Sequence, residues 1–140
     1  MASILKVDEL RGIASAGDIT ITSEGGAATQ SLQQGLSKAW ANWNGNGTVA
    51  VSDSLNTSSI TDRGTGGYTA NITNAMSNAV YGRSPSGVKN DANDDGNFIC
   101  STGNTSILPT TSSCPVTTAH ASLTRIDFPQ ITLNFHGDLA

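Results

Sequence analysis

The 140-residue sequence predicts an all-β protein, an extended N-terminal arm followed by a compact β-sandwich-like knob. Three observations predict it. Ser, Thr, Asn and Gly supply 61 of the residues, and their short side chains bond to nearby backbone, which favours turns and strands over helices. Brief apolar–polar alternations recur between glycine- and asparagine-rich breaks, a strand-and-turn rhythm. Only 13% of residues are charged and 5% aromatic, too few for an ordinary helical surface or a large core. A chain so short of core is expected to recover buried area against identical copies.

Taken in order, Ser3 to Gly12 mixes Ile4, Leu5, Val7 and Leu10 with charges and reads as a strand or an extended arm. In Gly17 to Gly26, Ile19 and Ile21 share one face and Thr20 and Thr22 the other, the alternation of a strand. Ala27 to Ala39 is the best helical candidate, with Leu32 and Leu36 four apart, but Gly35 limits it to a short turn. "AWANW" leads into "NGNG", two Asn-Gly dipeptides that demand a tight turn. "TVAVSDSL", "TSSIT" and "YTANIT" read as strands, the last with Tyr68, Ala70 and Ile72 on one face. "AVYG" is a short further candidate. Residues 83–118 read as one long polar loop, exposed and variable. Near the end, Ile126 and Phe128 alternate, then Ile131, Leu133 and Phe135, with a phase shift at Pro129 that suits a bulge or an edge. The expected division is an anchoring arm over 1–37 and a knob over 38–140.

Charge narrows the partners. The net charge is −4 and the seven Lys and Arg residues are scattered, so there is no basic patch to neutralise phosphates and nucleic acid is not expected. No stretch approaches the roughly 20 apolar residues of a membrane-spanning helix. The N-terminus carries acidic residues and no apolar run, unlike a secretory signal. Synthesis in a cytoplasm, without signal-directed export, is the expectation.

Three groups of residues invite chemistry. In "NDANDDGNFICS", Asp91, Asn93 and Asp95 fall on the first, third and fifth positions of a calcium loop, with Gly96 at the sixth, where a tight turn lets short oxygen ligands converge. Thr102 stands where a bidentate Glu belongs, so a solvated Asn/Asp turn is the favoured reading and no cofactor is expected. Cys100 and Cys114 enclose 13 residues of polar chain; a disulfide there would stabilise by about 3 kcal/mol, and free thiols are the alternative in a reducing cytoplasm. Trp40, Trp43 and Tyr68 could stack on sugars, but as the largest apolar groups they read first as core or subunit-interface anchors. No nucleophile elbow, phosphate loop or zinc spacing is present, so no enzyme is expected.

The string as a whole resembles small tail-fibre or fibre-like virion proteins of tailed bacteriophages, of the marine and cyanophage type. The shared pattern lies in "LQQGLSKAW" (Leu32 to Trp40), the aromatic-Asn-Gly turn from Trp43 to Gly47, Asp53-Ser54, Ser58 to Thr69 and Asn74 to Met76. It covers roughly residues 3 to 81, and residues 83–118 lie outside it. The resemblance implies a trimer in the virion, docked on other virion proteins through its N-terminal piece, with the knob facing outward to meet a host-surface glycan. A capsid decoration protein or head fibre, and a carbohydrate-binding module, are the alternatives.

Overall fold

The structure, a computed structural model, describes residues 5–11, 19–22, 25–26, 28–89, 98–102 and 107–140. Contacts divide the chain into two compact units, Met1–Leu36 and Ser37–Ala140.

In the first unit, β1 (Thr20–Thr22) pairs antiparallel with β2 (Thr29–Ser31). Gly25 and Gly26 lie between them with φ of +85° and +72°, a left-handed turn that glycine adopts without steric cost. A single helical turn, α1 (Leu32–Gly35), follows and stops at its glycine. Within the stretch Gly17 to Gly26, where a strand was expected, the described strand is Thr20–Thr22, and Ile21 is exposed rather than packed.

Among the described residues, the second unit is an antiparallel sandwich of eight strands. Its strands are β3 (Ala39–Asn44), β4 (Ala50–Leu55), β5 (Thr57–Asp62), β6 (Gly67–Ile72), β7 (Gly82–Val88), β8 (Phe98–Thr102), β9 (Ser113–His120) and β10 (Gln130–His136). One sheet has the order β4-β3-β10-β7 and the other β5-β6-β9-β8. The first and last strands of the unit thus lie side by side, with Ala39 opposite Phe135 and Trp43 opposite Ile131. Between β4 and β5 the chain changes sheet through one residue, Asn56, at φ +52°. Asn is among the few residues that tolerate this region. Its side chain holds the corner together, donating to Lys38 O (3.0 Å) and Asn74 O (3.1 Å) and accepting from Asn74 N (2.7 Å).

Period-two alternation decides which side chains enter. From the first sheet come Ala39, Ala41 and Trp43 on β3 and Ile131, Leu133 and Phe135 on β10, all fully buried. From the second come Tyr68, Ala70 and Ile72 on β6 and Cys114, Val116 and Thr118 on β9. The three alanines leave room for the large rings. Trp43 meets Tyr68 edge-on at 6.0 Å, and Tyr81 meets Phe135 edge-on at 5.4 Å, the geometry that opposes ring edge to ring face.

Three expectations change here. Residues 83–118 are not one loop: they contain β7, β8 and β9. Prolines disguise two of these strands. Pro85 sits in β7, which is a sheet edge, where a missing donor costs little. Pro115 sits in β9 one residue beyond the point where β8 stops, since Thr102 at the end of β8 faces Val116. Of "AVYG" only Gly82 is in a strand, as the first residue of β7; Tyr81 is buried just before it. Ile126 and Phe128 also lie outside any strand: Phe128 O accepts from Gly45 N (2.9 Å), and the last strand starts only after Pro129.

Candidate functional site: an arginine-flanked hollow

The hairpin between β5 and β6, "DRGTGG", is fixed by backbone bonds. Asp62 accepts from Gly64 N (2.8 Å), Arg63 N donates to Gly67 O (2.8 Å), and Gly67 N donates to Gly64 O (2.8 Å). This turn delivers Arg63 to the outer face of the second sheet, where its Nε donates to Thr69 Oγ1. A second arginine arrives from the segment after β9. There His120 N bonds Thr124 O and Arg125 bridges Ala119, folding the segment back along the sheet. Asp127 then locks this segment to the hairpin, accepting from Gly66 N and from the Tyr68 hydroxyl, both at 2.7 Å.

The Arg125 guanidinium and the stem of Arg63 flank Gly67. A methyl at that position would lie 3.3 Å from Arg125 Nη1 and 3.5 Å from Arg63 Cβ. Between them is a hollow of about 180 Å³, walled by Thr117, Pro115 and Ile107. Among the described residues neither guanidinium forms an ion pair, the ion pair there being Arg11 with Glu9. Asp62 and Asp127 lie in the same hairpin network and add negative charge nearby; each accepts through Oδ1, from Gly64 N and from Gly66 N and the Tyr68 hydroxyl respectively. Burial, reinforced by Asp127, pushes the Tyr68 phenol well above its usual range, so it stays a proton donor. Two permanent cations beside a small, partly apolar space can hold an anion through forked N–H bonds. Among the described residues no cluster of three or more His, Cys, Asp and Glu side chains could hold a metal.

The residues singled out in the sequence fare differently. Trp43 and Tyr68 are core, at 0% and 1% exposure. They are therefore not interface anchors, and the core they complete is closed within one chain. Trp40 is half-buried on the opposite face of β3, next to Asn134 and Leu55 in register. The three rings do not form one stacking platform. Asp91, Asn93 and Asp95 lie outside the described residues.

Cys100 and Cys114 are both free, which corrects the expected bridge. Cys100 faces Thr118 across the β8–β9 ladder, whereas Cys114 lies four residues further along β9 and faces Ala70. Four residues of strand span about 13 Å, twice the Cα separation a disulfide tolerates. Burial pushes both thiols up to about 11. In the unfolded chain a cysteine ionises near about 8.5, so the native state holds these protons more tightly than the unfolded state. The stability this confers is complete below that value and is lost as pH rises through 11. Tyr68 and Tyr81, also raised by burial, act in the same direction. Denaturation midpoints should therefore be level through neutral pH and fall steeply between about pH 9 and 11. A native thiol assay at pH 8 should leave Cys114 unmodified until denaturant is added.

Arg63 and Arg125 escaped the sequence reading because they are distant in the chain and look like isolated surface charges. The one local signal was the run of glycines beside Arg63, which leaves open space above the strand for a guanidinium.

What these elements define is an antiparallel β-sandwich with a cationic hollow on one outer face. No protein-family model, curated protein or solved structure matches the chain.

Proposed function

We propose that this protein is a non-enzymatic structural component of a tailed-phage virion, a short tail or neck fibre whose N-terminal unit docks on the particle and whose sandwich faces the host surface. The observation that carries this reading is the contrast between the two units. The core residues, from Ala39 to Phe135, all belong to the second unit. In the first, Leu5, Val7, Leu10, Ile21 and Leu36 are between 51% and 79% exposed. Apolar side chains exposed along an arm whose described residues contribute nothing to the core are what a docking segment offers to other chains. The resemblance over residues 3 to 81 supplies the virion setting and the expected trimer.

Light scattering on the native protein tests this. The full chain should have the mass of three copies, and a chain beginning at Ser37 should keep its melting temperature but lose the ability to join fibre-deficient particles. A full-length chain that remains monomeric at high concentration would count against the fibre. A second reading, a carbohydrate-binding module, is favoured by Trp40, a half-buried ring on a sheet face shared with Leu55 and with Asn42 and Thr132, which are bonded to each other at 3.0 Å. A monomer with affinity for neutral sugars would support it.

A further inference from the structure

The geometry points to the Arg63–Arg125 hollow as a binding site for the carboxylate of an acidic sugar within a surface polysaccharide, a proposal that rests on the reading of the sandwich as the outward-facing part. Both arginines line the hollow and, among the described residues, neither forms an ion pair, so a carboxylate placed there gains a charge-assisted partner. Arg63 has its Nε committed to Thr69, which fixes the plane of its fork and leaves the terminal nitrogens for a ligand. Arg125 is aimed at the same space by the Ala119 bridge and by Asp127 two residues on, anchored to Gly66 and Tyr68. The site is thus assembled before any ligand arrives, which lowers the ordering cost of binding.

The walls distinguish a sugar acid from a bare inorganic ion. Pro115 and Ile107 offer an apolar surface on which the C–H face of a pyranose can lie, and Thr117 offers a hydroxyl for one of the ring's own. At about 180 Å³ the hollow accepts one ring of a chain, with the neighbouring rings left in solvent. The protein carries a net charge of −4, so attraction of a polyanion must come from this local pair and not from the molecule as a whole.

Titration calorimetry with the full-length protein tests the proposal. Oligomers of galacturonate, of alginate and of hyaluronan are compared with a neutral gluco-oligosaccharide of equal length and with sodium sulfate. At least one uronate oligomer should bind, weaken as salt rises from 0.05 to 0.5 M, and bind at least about tenfold more weakly to either R63Q or R125Q. The double variant should lose binding while keeping the native melting temperature, because both side chains are exposed. No binding by any uronate, equal binding of the neutral oligomer, or unchanged affinity in the double variant would overturn the proposal. Sulfate binding as tightly as the best uronate would overturn the sugar assignment. Light scattering on the same samples keeps the two readings apart: an oligomer that ignores uronates removes only this inference, and a monomer that binds them removes only the fibre.

Discussion

Replacing Gly66 with alanine should destabilise the sandwich by about 3 kcal/mol or more. The backbone there has φ +63°, where an L-residue with a Cβ costs about 1–2 kcal/mol. The larger part is crowding. A Cβ would lie 2.9 Å from both Ile126 N and Ile126 O, and closer still to Thr118 O. These are backbone atoms in a bonded network: Thr118 N donates to Gly66 O, and Ile126 N donates to Thr118 O. None can swing aside as a side chain would, so β9 and the following segment must separate from the hairpin. Gly64 provides the control. It has φ +91° with nothing within 4 Å of its Cβ position, so G64A should register the torsional cost alone. Chemical denaturation of both variants separates the two contributions. Equal losses for G64A and G66A would show that three backbones do not converge at Gly66. Because the same hairpin carries Arg63, G66A should also weaken any ligand held in the hollow.

Trp43→Ala should cost about 3–5 kcal/mol. Trp43 is fully buried between the sheets, against Tyr68, so its truncation leaves a cavity in the core. For a unit of this size such a loss lowers the melting temperature by more than about 12 °C. Trp43→Phe should cost much less. The Trp43 Nε1–H is buried without an acceptor among the described residues, so phenylalanine removes an unsatisfied donor while keeping most of the ring. Trp40→Ala should cost less, about 1–2 kcal/mol, since that ring is partly exposed on the outer face and its removal leaves no closed cavity. A melting curve in which Trp40→Ala falls as far as Trp43→Ala would reverse the assignment of faces.

These two tryptophans show how far the sequence can be read. They are three residues apart, and in a strand that spacing places side chains on opposite faces. The signal that divides them was present; grouping the two rings with Tyr68 as one set of anchors, or as a stacking platform, ignored it. Tyr68, Ala70 and Ile72 were legible because they alternate cleanly, and "NGNG" was legible because the tight turn is written in the residues that form it. The strands β7 and β9 were not legible. Each contains a proline, and whether a proline is tolerated depends on what runs alongside, which is set by residues tens of positions away. The cysteines follow the same rule: 13 intervening residues permit a bridge, but the ladder between β8 and β9 fixes a register that forbids it.

The order of residues by itself determined the all-β class, the main turns and the inward stripe of β6, because each of these depends on the φ/ψ preferences and side-chain alternation of a few neighbouring residues. The tertiary structure alone decided that a single chain closes its core, which strands lie at the edges, and that Arg63 and Arg125 share one hollow. Those features arise from pairings such as Ala39 with Phe135 and Gly67 with Thr117. Such pairings are stable only when all the strands of a sheet are in place, so no local stretch carries them.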